Sequence, residues 1–166
     1  MNTLIETPLG LLEGTREGTV CSWWGVPYAQ PPVGELRFRA PQPVQPWSGV
    51  RNATRFGPLA LQAPSGLQSR LSQGESASPQ VHMDEDCLYL NIWVPETDTT
   101  KRPVMVWIHG GAFVSGGGSL PLYDGSRFAT QGDVVVVTIN YRLGPLGFLH
   151  LSDWDSSFEN NLGLLD

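Results

Sequence analysis

Short apolar runs alternate with polar and proline-rich stretches along the chain, and these runs predict strands. Val104–Ile108 and Val134–Ile139 are almost entirely apolar, which is typical of strands buried on both faces of a parallel sheet. Between them, residues 124–131 can form a short helix, with Gly132 at the C′ position that favours glycine. Strand, helix and strand in this order predict a right-handed crossover, and therefore a fold of the α/β class.

The first part of the chain shows a hairpin pattern instead. Residues 3–26 contain short apolar stretches separated by glycine-containing turns, which predicts antiparallel strands at the edge of a sheet. Prolines recur over residues 24–38, and they exclude a helix or a central strand there because proline has no backbone N–H to donate. We therefore predict an extended loop that continues to residue 62, with Trp47 and Phe56 as buried aromatic anchors.

A polar segment over residues 63–84 interrupts the apolar pattern. It is rich in Ser, Gln and Gly, which predicts a long surface loop within one domain rather than a linker between domains. Gly74–Ser78 in this loop has the form of a nucleophile elbow, G-x-S-x-G, with the last glycine replaced. That motif needs a strand before it and a helix after it. Neither flank fits, so Ser76 is not the expected nucleophile.

A further strand is predicted beyond this loop. Leu88–Val94 contains aromatic and β-branched residues and is followed by Pro95, which closes the strand. A polar turn over residues 96–102 leads to the next strand, and residues 160–166 have the pattern of a helix that begins. The expected order is therefore hairpins first and a parallel sheet afterwards.

Composition and charge exclude several classes of function. The 166 residues carry a formal net charge of −6 and are 40% hydrophobic, which favours one domain with a core and disfavours a nucleic-acid partner. No apolar run approaches the roughly 18 residues of a membrane span, and residues 1–10 lack the pattern of a signal peptide. The two cysteines and three histidines show no metal-ligand spacing. We therefore expect a cytoplasmic protein with reduced thiols, no membrane partner and no metal.

Candidate chemistry lies where the strand over 104–108 ends, at His109–Ala112. Two consecutive glycines, Gly110 and Gly111, let the backbone turn sharply and leave its N–H groups unobstructed. A pair of such donors suits the oxyanion that develops in acyl transfer, as in the HGGG-type loop of lipases and esterases. From the loop alone, a flexible turn that includes Gly116–Gly118 is an open alternative. A phosphate cradle is disfavoured because neither glycine-rich nucleotide-binding motif is present.

Several segments together make the sequence similar to a known family. Glu85–Asn91 reads Glu-Asp-Cys-Leu-Tyr-Leu-Asn, and His109–Phe113 reads His-Gly-Gly-Ala-Phe; this combination is specific. The sequence resembles the type-B carboxylesterase/cholinesterase family of α/β-hydrolases over nearly its whole length. The matching segments, in family order, are Trp24–Phe38, Trp47–Pro58, Glu85–Pro95, Trp107–Phe113, Asn140–Phe148 and Asn161–Asp166.

The resemblance implies a fold and a set of residue roles. Residues 1–166 would be the N-terminal part of an α/β-hydrolase fold, with antiparallel edge hairpins leading into a parallel sheet that is incomplete. Gly111 and Ala112 would offer backbone N–H groups to the oxyanion, and Gly110 would permit the turn. The family needs no metal or cofactor. The resemblance also implies two structural ion pairs near strand ends: Arg37 with Glu85, and Arg142 with Asp166.

Two departures from the family pattern matter. In many secreted members the cysteine that corresponds to Cys87 forms a disulfide, but its partner position here is Ala60, so we expect Cys87 to be a free, buried thiol. Family members are also much longer, and their nucleophile elbow, acid and histidine follow the point that matches the end of this chain. His109 would belong to the oxyanion loop, and His82 and His150 would be structural or surface residues.

The expected function is hydrolysis of a small-molecule carboxylic ester by a serine carboxylesterase, through an acyl-enzyme. Without a nucleophile and the N–H donor that follows it, this chain alone is expected to be inactive. It would be a truncated gene product or one piece of a split enzyme, and the catalytic triad would come from missing sequence or from a complementing chain as its partner. The alternatives are a non-catalytic, cholinesterase-like interaction module and a non-functional remnant; the intact loop at His109–Ala112 favours the esterase. We also expect Val134–Ile139 to leave an exposed apolar edge, which is an association hazard.

Overall fold

A computed structural model describes residues 3–63, 82–95 and 101–166. The strands are β1 Leu4–Thr7, β2 Gly10–Glu13, β3 Thr15–Glu17, β4 Val20–Pro27, β5 Val50–Asn52, β6 Leu59–Ala60, β7 Met83–Asp84, β8 Tyr89–Pro95, β9 Val104–Ile108 and β10 Val135–Ile139. The helices are α1 Ser126–Gly132, α2 Gly144–Phe148 and α3 Leu162–Leu165, with 3-10 helices at Gly34–Leu36 and Pro121–Tyr123.

The strands form one main sheet and two smaller ones. The main sheet has the order β3-β4-β8-β10-β9, and the smaller sheets have the orders β1-β2-β5 and β6-β7. In the main sheet β3, β4, β8 and β10 pair antiparallel in succession, and only β10 and β9 are parallel. The predicted progression from antiparallel hairpins to parallel pairing is therefore correct, as is the α/β class.

β9, α1 and β10 form the predicted strand–helix–strand unit. Residues 104–108 pair in parallel with residues 135–139, so the two strands end at the same edge of the sheet. Both ends of the helix differ from the prediction, because α1 begins at Ser126 and includes Gly132. Asp133 follows the helix in the left-handed conformation, with φ 49°. An aspartate tolerates this conformation because its short polar side chain can form local hydrogen bonds.

The position of β9 corrects two predictions. β9 is the edge strand, and Val104, Val106 and Ile108 are 61%, 54% and 64% exposed, so its predicted burial on both faces is wrong. The exposed apolar edge was expected on the following strand, but β10 lies between β8 and β9, with Val136 and Thr138 buried. Hydrophobicity identifies a strand that prefers burial, but it does not say which neighbours that strand has.

Buried side chains form three clusters around the main sheet. One contains Cys87, Leu88 and Leu143, a second contains Cys21 and Trp23, and a third is centred on Trp93. Both cysteines are buried and free, as expected for Cys87. Burial, and secondarily the nearby carboxylate of Asp166, raises the pKa of Cys87 to about 12. The thiol is therefore protonated at neutral pH and packs as a small apolar group.

The two predicted aromatic anchors behave differently. Trp47 packs against the second cluster, and its Nε1 donates a hydrogen bond to the Leu11 carbonyl at 2.9 Å. Phe56 is 42% exposed, so its predicted burial is wrong. Its ring still stacks on Trp24, with 4.7 Å between ring centroids, which holds the extended loop against the sheet.

Some predictions lie outside the described residues. These are most of the surface loop over residues 63–84, the elbow-like Gly74–Ser78 within it, and most of the turn over residues 96–102. At the end of the predicted loop, residues 83–84 form β7. Within the described ranges, no helix is long and apolar enough to cross a membrane.

The exposed edge of β9 should drive self-association of the isolated chain, because an apolar edge strand can pair with another copy. A Val106→Lys substitution places a charge in the middle of this edge and should raise the monomer fraction. Val50→Lys on β5 is the matched control, since Val50 is 51% exposed on a three-residue strand. Size-exclusion chromatography with light scattering measures both, and equal effects of the two substitutions would contradict the assignment of the association surface.

Candidate functional site

The candidate site is the loop that follows β9, at the edge where β9 and β10 end. Residues 109–113 line an open depression of about 380 Å³ together with Ile139, Tyr141, Leu164 and Asp166. Residues 110–113 are exposed, whereas the His109 side chain is buried. The parallel pairing of β9 and β10 therefore brings the glycine loop, the end of β10 and the last helix to one surface.

The loop turns through left-handed backbone conformations. Gly111 has φ 136°, and Ala112 and Phe113 have φ 54° and 62°. A Cβ on Gly111 would lie 1.8 Å from the Ser115 carbonyl oxygen, so only glycine fits there. Gly110 was the predicted turn residue, but it has no left-handed φ and its Cβ position is open. The turn therefore depends on Gly111 and not on Gly110.

Hydrogen bonds hold this strained turn closed. The N–H groups of Val114 and Ser115 both donate to the Gly111 carbonyl at 3.1 Å, and Ser115 Oγ donates to the same oxygen at 3.3 Å. The N–H of Gly144, which begins α2, donates to the Phe113 carbonyl at 2.8 Å. Non-glycine residues at positive φ each cost about 1–3 kcal/mol and persist where surrounding contacts determine them. These bonds supply such contacts.

Successive N–H groups in this turn have no acceptor among the described residues. The Gly111, Ala112 and Phe113 N–H groups donate no hydrogen bond there, and all three residues line the depression. Successive N–H groups in a turn of this kind form a concave, positively polarised site that binds anions. The arrangement can therefore stabilise negative charge on an oxygen atom placed in the depression.

His109 supports the loop from beneath and is not a free base. Its ring is 3% exposed and stacks on Tyr141 with 4.4 Å between centroids. The Tyr141 hydroxyl donates to the His109 carbonyl at 2.9 Å. His109 Nδ1 lies 3.0 Å from the Gly110 carbonyl, which can only accept, so Nδ1 carries the proton. Burial lowers the pKa of His109, and the ring is neutral at physiological pH.

A chain of buried polar side chains fixes the far end of the loop. The Gly118 N–H donates to Asn140 Oδ1 at 2.8 Å, and Thr138 Oγ1 donates to the Gly118 carbonyl at 2.7 Å. Asn91 Nδ2 donates to Thr138 Oγ1 at 3.0 Å, and Asn91 Oδ1 accepts the Gly25 N–H. These roles were not predicted from the sequence. Their signal is a polar residue inside or directly after an apolar strand, which must find a partner when buried.

Both expected ion pairs are present. Arg142 and Asp166 are buried, with side chains 4% and 0% exposed, and Arg142 Nε lies 2.7 Å from Asp166 Oδ2. The Arg142 backbone N–H donates to the same carboxylate oxygen at 3.0 Å. Arg37 and Glu85 form a bidentate pair at 2.6 and 2.8 Å, closer to solvent. The first pair joins α3 to the loop after β10.

A serine, a histidine and an aspartate also meet near the end of the chain, although the sequence predicted no such group around His150. His150 Nε2 lies 3.3 Å from Ser152 Oγ and 3.2 Å from an Asp153 carboxylate oxygen. Both contacts use one ring nitrogen, whereas a catalytic histidine bonds the acid and the nucleophile through different nitrogens. His150 and Asp153 are 61% and 91% exposed in their side chains. This cluster therefore lacks the geometry of a catalytic triad.

His82 and the acidic residues show no other catalytic or metal-binding arrangement among the described residues. His82 is exposed, and its backbone carbonyl accepts the Leu59 N–H at 3.0 Å beside β6. No group of three or more His, Cys, Asp or Glu side chains in residues 3–63, 82–95 and 101–166 could hold a metal ion.

Comparison with known proteins identifies relatives over the whole chain. The carboxylesterase family model matches residues 1–166. The para-nitrobenzyl esterase of Bacillus subtilis (strain 168) is 52% identical over 163 residues, which cover 98% of this chain and 32% of the relative. Phenmedipham hydrolase of Pseudarthrobacter oxydans is 48% identical over 88% of this chain and 29% of its own length. The cholinesterase of Mus musculus is 43% identical, over 98% of this chain and 28% of its own length.

Solved structures agree with these relatives. A para-nitrobenzyl esterase structure superposes with a TM-score of 0.90 at 52% identity, covering 99% of this chain and 33% of that structure. A carboxylesterase of Geobacillus stearothermophilus superposes with a TM-score of 0.84 at 49% identity, covering 98% and 32%. The predicted fold, the N-terminal part of an α/β-hydrolase, is confirmed. The chain spans about a third of the length of these relatives.

The buried ion pair should matter more for stability than the exposed one. Asp166→Asn leaves the Arg142 charge buried without its counter-ion, and should lower the free energy of unfolding by about 3–5 kcal/mol. Glu85→Gln is the control and should have a much smaller effect, because Arg37 remains solvated. Chemical denaturation followed by tryptophan fluorescence measures both. If the two variants lost similar amounts of unfolding free energy, burial of an ion pair would not decide how much it contributes to stability.

The buried imidazole should make stability fall in acid. Burial lowers the pKa of His109 in the folded state, whereas the unfolded chain keeps a value of about 6.5. Stability is then intact above the unfolded pKa and declines as the pH falls below it. The free energy of unfolding should drop between about pH 7.5 and about pH 5.5, and His109→Gln should drop less over the same range. Parallel curves for the two proteins would rule out His109 as the titrating group.

Proposed function

Because the chain belongs to the carboxylesterase family, we propose that it supplies the oxyanion-binding part of a serine carboxylesterase, which hydrolyses small-molecule carboxylic esters. The observation that carries this proposal is the run of N–H groups that includes the Gly111 and Ala112 donors, exposed at the depression beyond β9 and without acceptors among the described residues. Acyl transfer needs such donors where the carbonyl oxygen of the ester becomes an oxyanion.

The chemistry assigned to this loop is electrostatic. As a serine oxygen attacks the ester carbonyl, its proton passes to the catalytic histidine, the π electrons move to the carbonyl oxygen, and the Gly111 and Ala112 N–H groups bind the resulting negative charge. In hydrolases of this fold a third donor comes from the residue after the nucleophile. When the tetrahedral intermediate collapses, the bond to the alkoxide breaks, the histidine returns its proton to form the alcohol, and the acyl-enzyme that remains is hydrolysed by water. Each of these steps proceeds with side chains and backbone groups and needs no metal or cofactor.

In this proposal the nucleophile, the acid and the catalytic histidine lie outside these 166 residues. The described histidines support the assignment, since His109 is buried and neutral and His150 contacts serine and aspartate through a single nitrogen. The chain spans about a third of the length of its relatives, and the triad would come from sequence beyond these 166 residues, in the same polypeptide or in a complementing one. The chain alone would then be inactive.

The walls of the depression favour an ester with an apolar part. Phe113 is 53% exposed at its rim and packs against Phe148, with 4.9 Å between ring centroids, and Ile108 and Leu164 complete an apolar lining. Apolar walls with a few placed polar groups are typical of small-molecule sites. The alternative of a non-catalytic interaction module gives no reason for successive N–H donors in a strained turn that have no acceptor among the described residues, so the esterase is favoured.

A chimera tests the proposal. Residues 1–166 replace the matching N-terminal segment of the Bacillus subtilis para-nitrobenzyl esterase, and hydrolysis of p-nitrophenyl acetate and butyrate is measured. We expect the chimera to be active and the chain alone to be inactive. Gly111→Ala should lower kcat by about 10²–10³-fold, because the added Cβ distorts the donor pair.

Gly18→Ala is the matched control, since Gly18 also has a positive φ (56°) but lies in the turn between β3 and β4, with open space around it. It should leave kcat nearly unchanged. A serine-reactive organophosphate should label the chimera at a serine outside residues 1–166. A label on a serine of this chain, Ser76 included, or an inactive chimera that is correctly folded, would overturn the proposal.

A further inference from the structure

Gln62 forms a double hydrogen bond with the loop that carries the proposed oxyanion site. It lies two residues beyond β6, and its side-chain amide faces the backbone of Gly116. Gln62 Oε1 accepts the Gly116 N–H at 2.8 Å, and Gln62 Nε2 donates to the Gly116 carbonyl at 2.7 Å. Nε2 also donates to the Ala60 carbonyl at 3.0 Å. The Gln62 amide thus forms the same two kinds of hydrogen bond with the Gly116 backbone that a neighbouring strand would form.

These contacts require an amide of this length. A reversed amide would place Oε1 against the carbonyl oxygens of Ala60 and Gly116, neither of which can donate. A glutamate keeps the acceptor for the Gly116 N–H but has no proton for the two carbonyls at neutral pH. A methionine has a similar length and no amide. The chemistry of the amide group, and not only its volume, is therefore used at position 62.

Gly116 connects the hydrogen bonds of Gln62 to the oxyanion turn. Its φ is 117°, and a Cβ there would lie 2.3 Å from His109 Nδ1 and 2.5 Å from the Gly110 carbonyl oxygen. The Gly116 backbone therefore packs directly against the first two residues of the loop. Residues 111–115, which include the Gly111 and Ala112 donors, form the turn between these two contact points. β9 holds one end of the turn, and Gln62 holds the other end through Gly116.

We propose that Gln62 is a positioning residue for the oxyanion-binding N–H groups of Gly111 and Ala112. Its amide fixes the Gly116 peptide, this peptide fixes His109 and Gly110, and the turn between them keeps its left-handed geometry. The catalytic part of this inference rests on the proposed esterase function. Donors to an oxyanion act only when they are held in place before the reaction, so a loosened turn lowers the rate without changing the donors themselves.

The first test measures the turn itself in the 166-residue chain. Amide hydrogen exchange followed by NMR compares the chain with its Gln62→Met and Gln62→Glu variants. We expect the Gly116 N–H to exchange about tenfold faster or more in both, because its acceptor is lost or its partner carbonyl is repelled. The N–H groups of Val114 and Ser115, which close the turn on Gly111, should also exchange faster.

Gln42→Met is the matched control. Gln42 Nε2 donates to the Ala40 carbonyl at 3.1 Å, at an exposed site two residues away in sequence. Its substitution should leave exchange at residues 114–116 unchanged. If Gln62→Met, which preserves volume, leaves the exchange of Gly116, Val114 and Ser115 unchanged, the amide does not hold the turn and the inference is wrong.

The second test measures catalysis in the chimera described above. Gln62→Met should lower kcat about tenfold or more while KM stays within about twofold, because the lost interaction acts in the transition state. A role in packing alone predicts equal activity for Gln62→Met, or a loss that follows a lower unfolding midpoint. Either result would overturn the inference.

The two tests separate this inference from the proposed function. An inactive parent chimera with faster exchange in Gln62→Met would refute the esterase function and, with it, the catalytic role, while Gln62 would still be shown to hold the turn. An active chimera with unchanged kcat in Gln62→Met would leave the esterase function standing and refute the positioning role. Faster exchange together with a selective loss of kcat supports both.

Discussion

The parallel pairing of β9 with β10 is the constraint on which the candidate site depends. Because residues 104–108 run alongside residues 135–139, the loops that follow both strands leave the sheet at one edge. Tyr141 then reaches His109, and Asn140 reaches Gly118. No contact in the glycine loop alone would fix its position, since the glycines leave the backbone free to turn. Side chains that directly follow β10 hold the loop in place.

In this loop some backbone hydrogen-bonding groups have partners, and others have none among the described residues. The carbonyls of Gly110, Gly111 and Phe113 all accept hydrogen bonds, and the N–H groups of Gly116 and Gly118 are bound by side-chain amides. Satisfied groups hold the turn in a left-handed path that would otherwise be unfavourable. The N–H groups of Gly111, Ala112 and Phe113 have no acceptor among the described residues. The satisfied groups therefore hold the turn in the conformation that exposes these donors.

The sequence predicted the strands and helices better than it predicted which strands are neighbours. Apolar runs located the strands, and the His-Gly-Gly-Ala pattern located the loop, because both signals are local. Burial of Val104–Ile108 was wrong because an edge position depends on strands elsewhere in the sheet. The family resemblance assigned the turn to Gly110, whereas Gly111 has the left-handed φ, because φ angles cannot be read from two adjacent glycines. Gln62 was missed because its partner lies 54 residues away, and a single glutamine in a polar stretch carries no periodic signal.

The exposed edge of β9 and the Gly111 and Ala112 donors lie on consecutive parts of the chain, and in the proposed enzyme they have one explanation. A strand that added to β9 would cover Val104, Val106 and Ile108 and would end beside the Gly111–Ala112 turn if it ran parallel to β9. A residue at the end of such a strand would then stand within reach of the oxyanion donors, where a nucleophile must be. Pairing of this strand with β9 would complete both the sheet and the catalytic site. The burial of apolar surface, which drives that pairing, would thus assemble the chemistry as well.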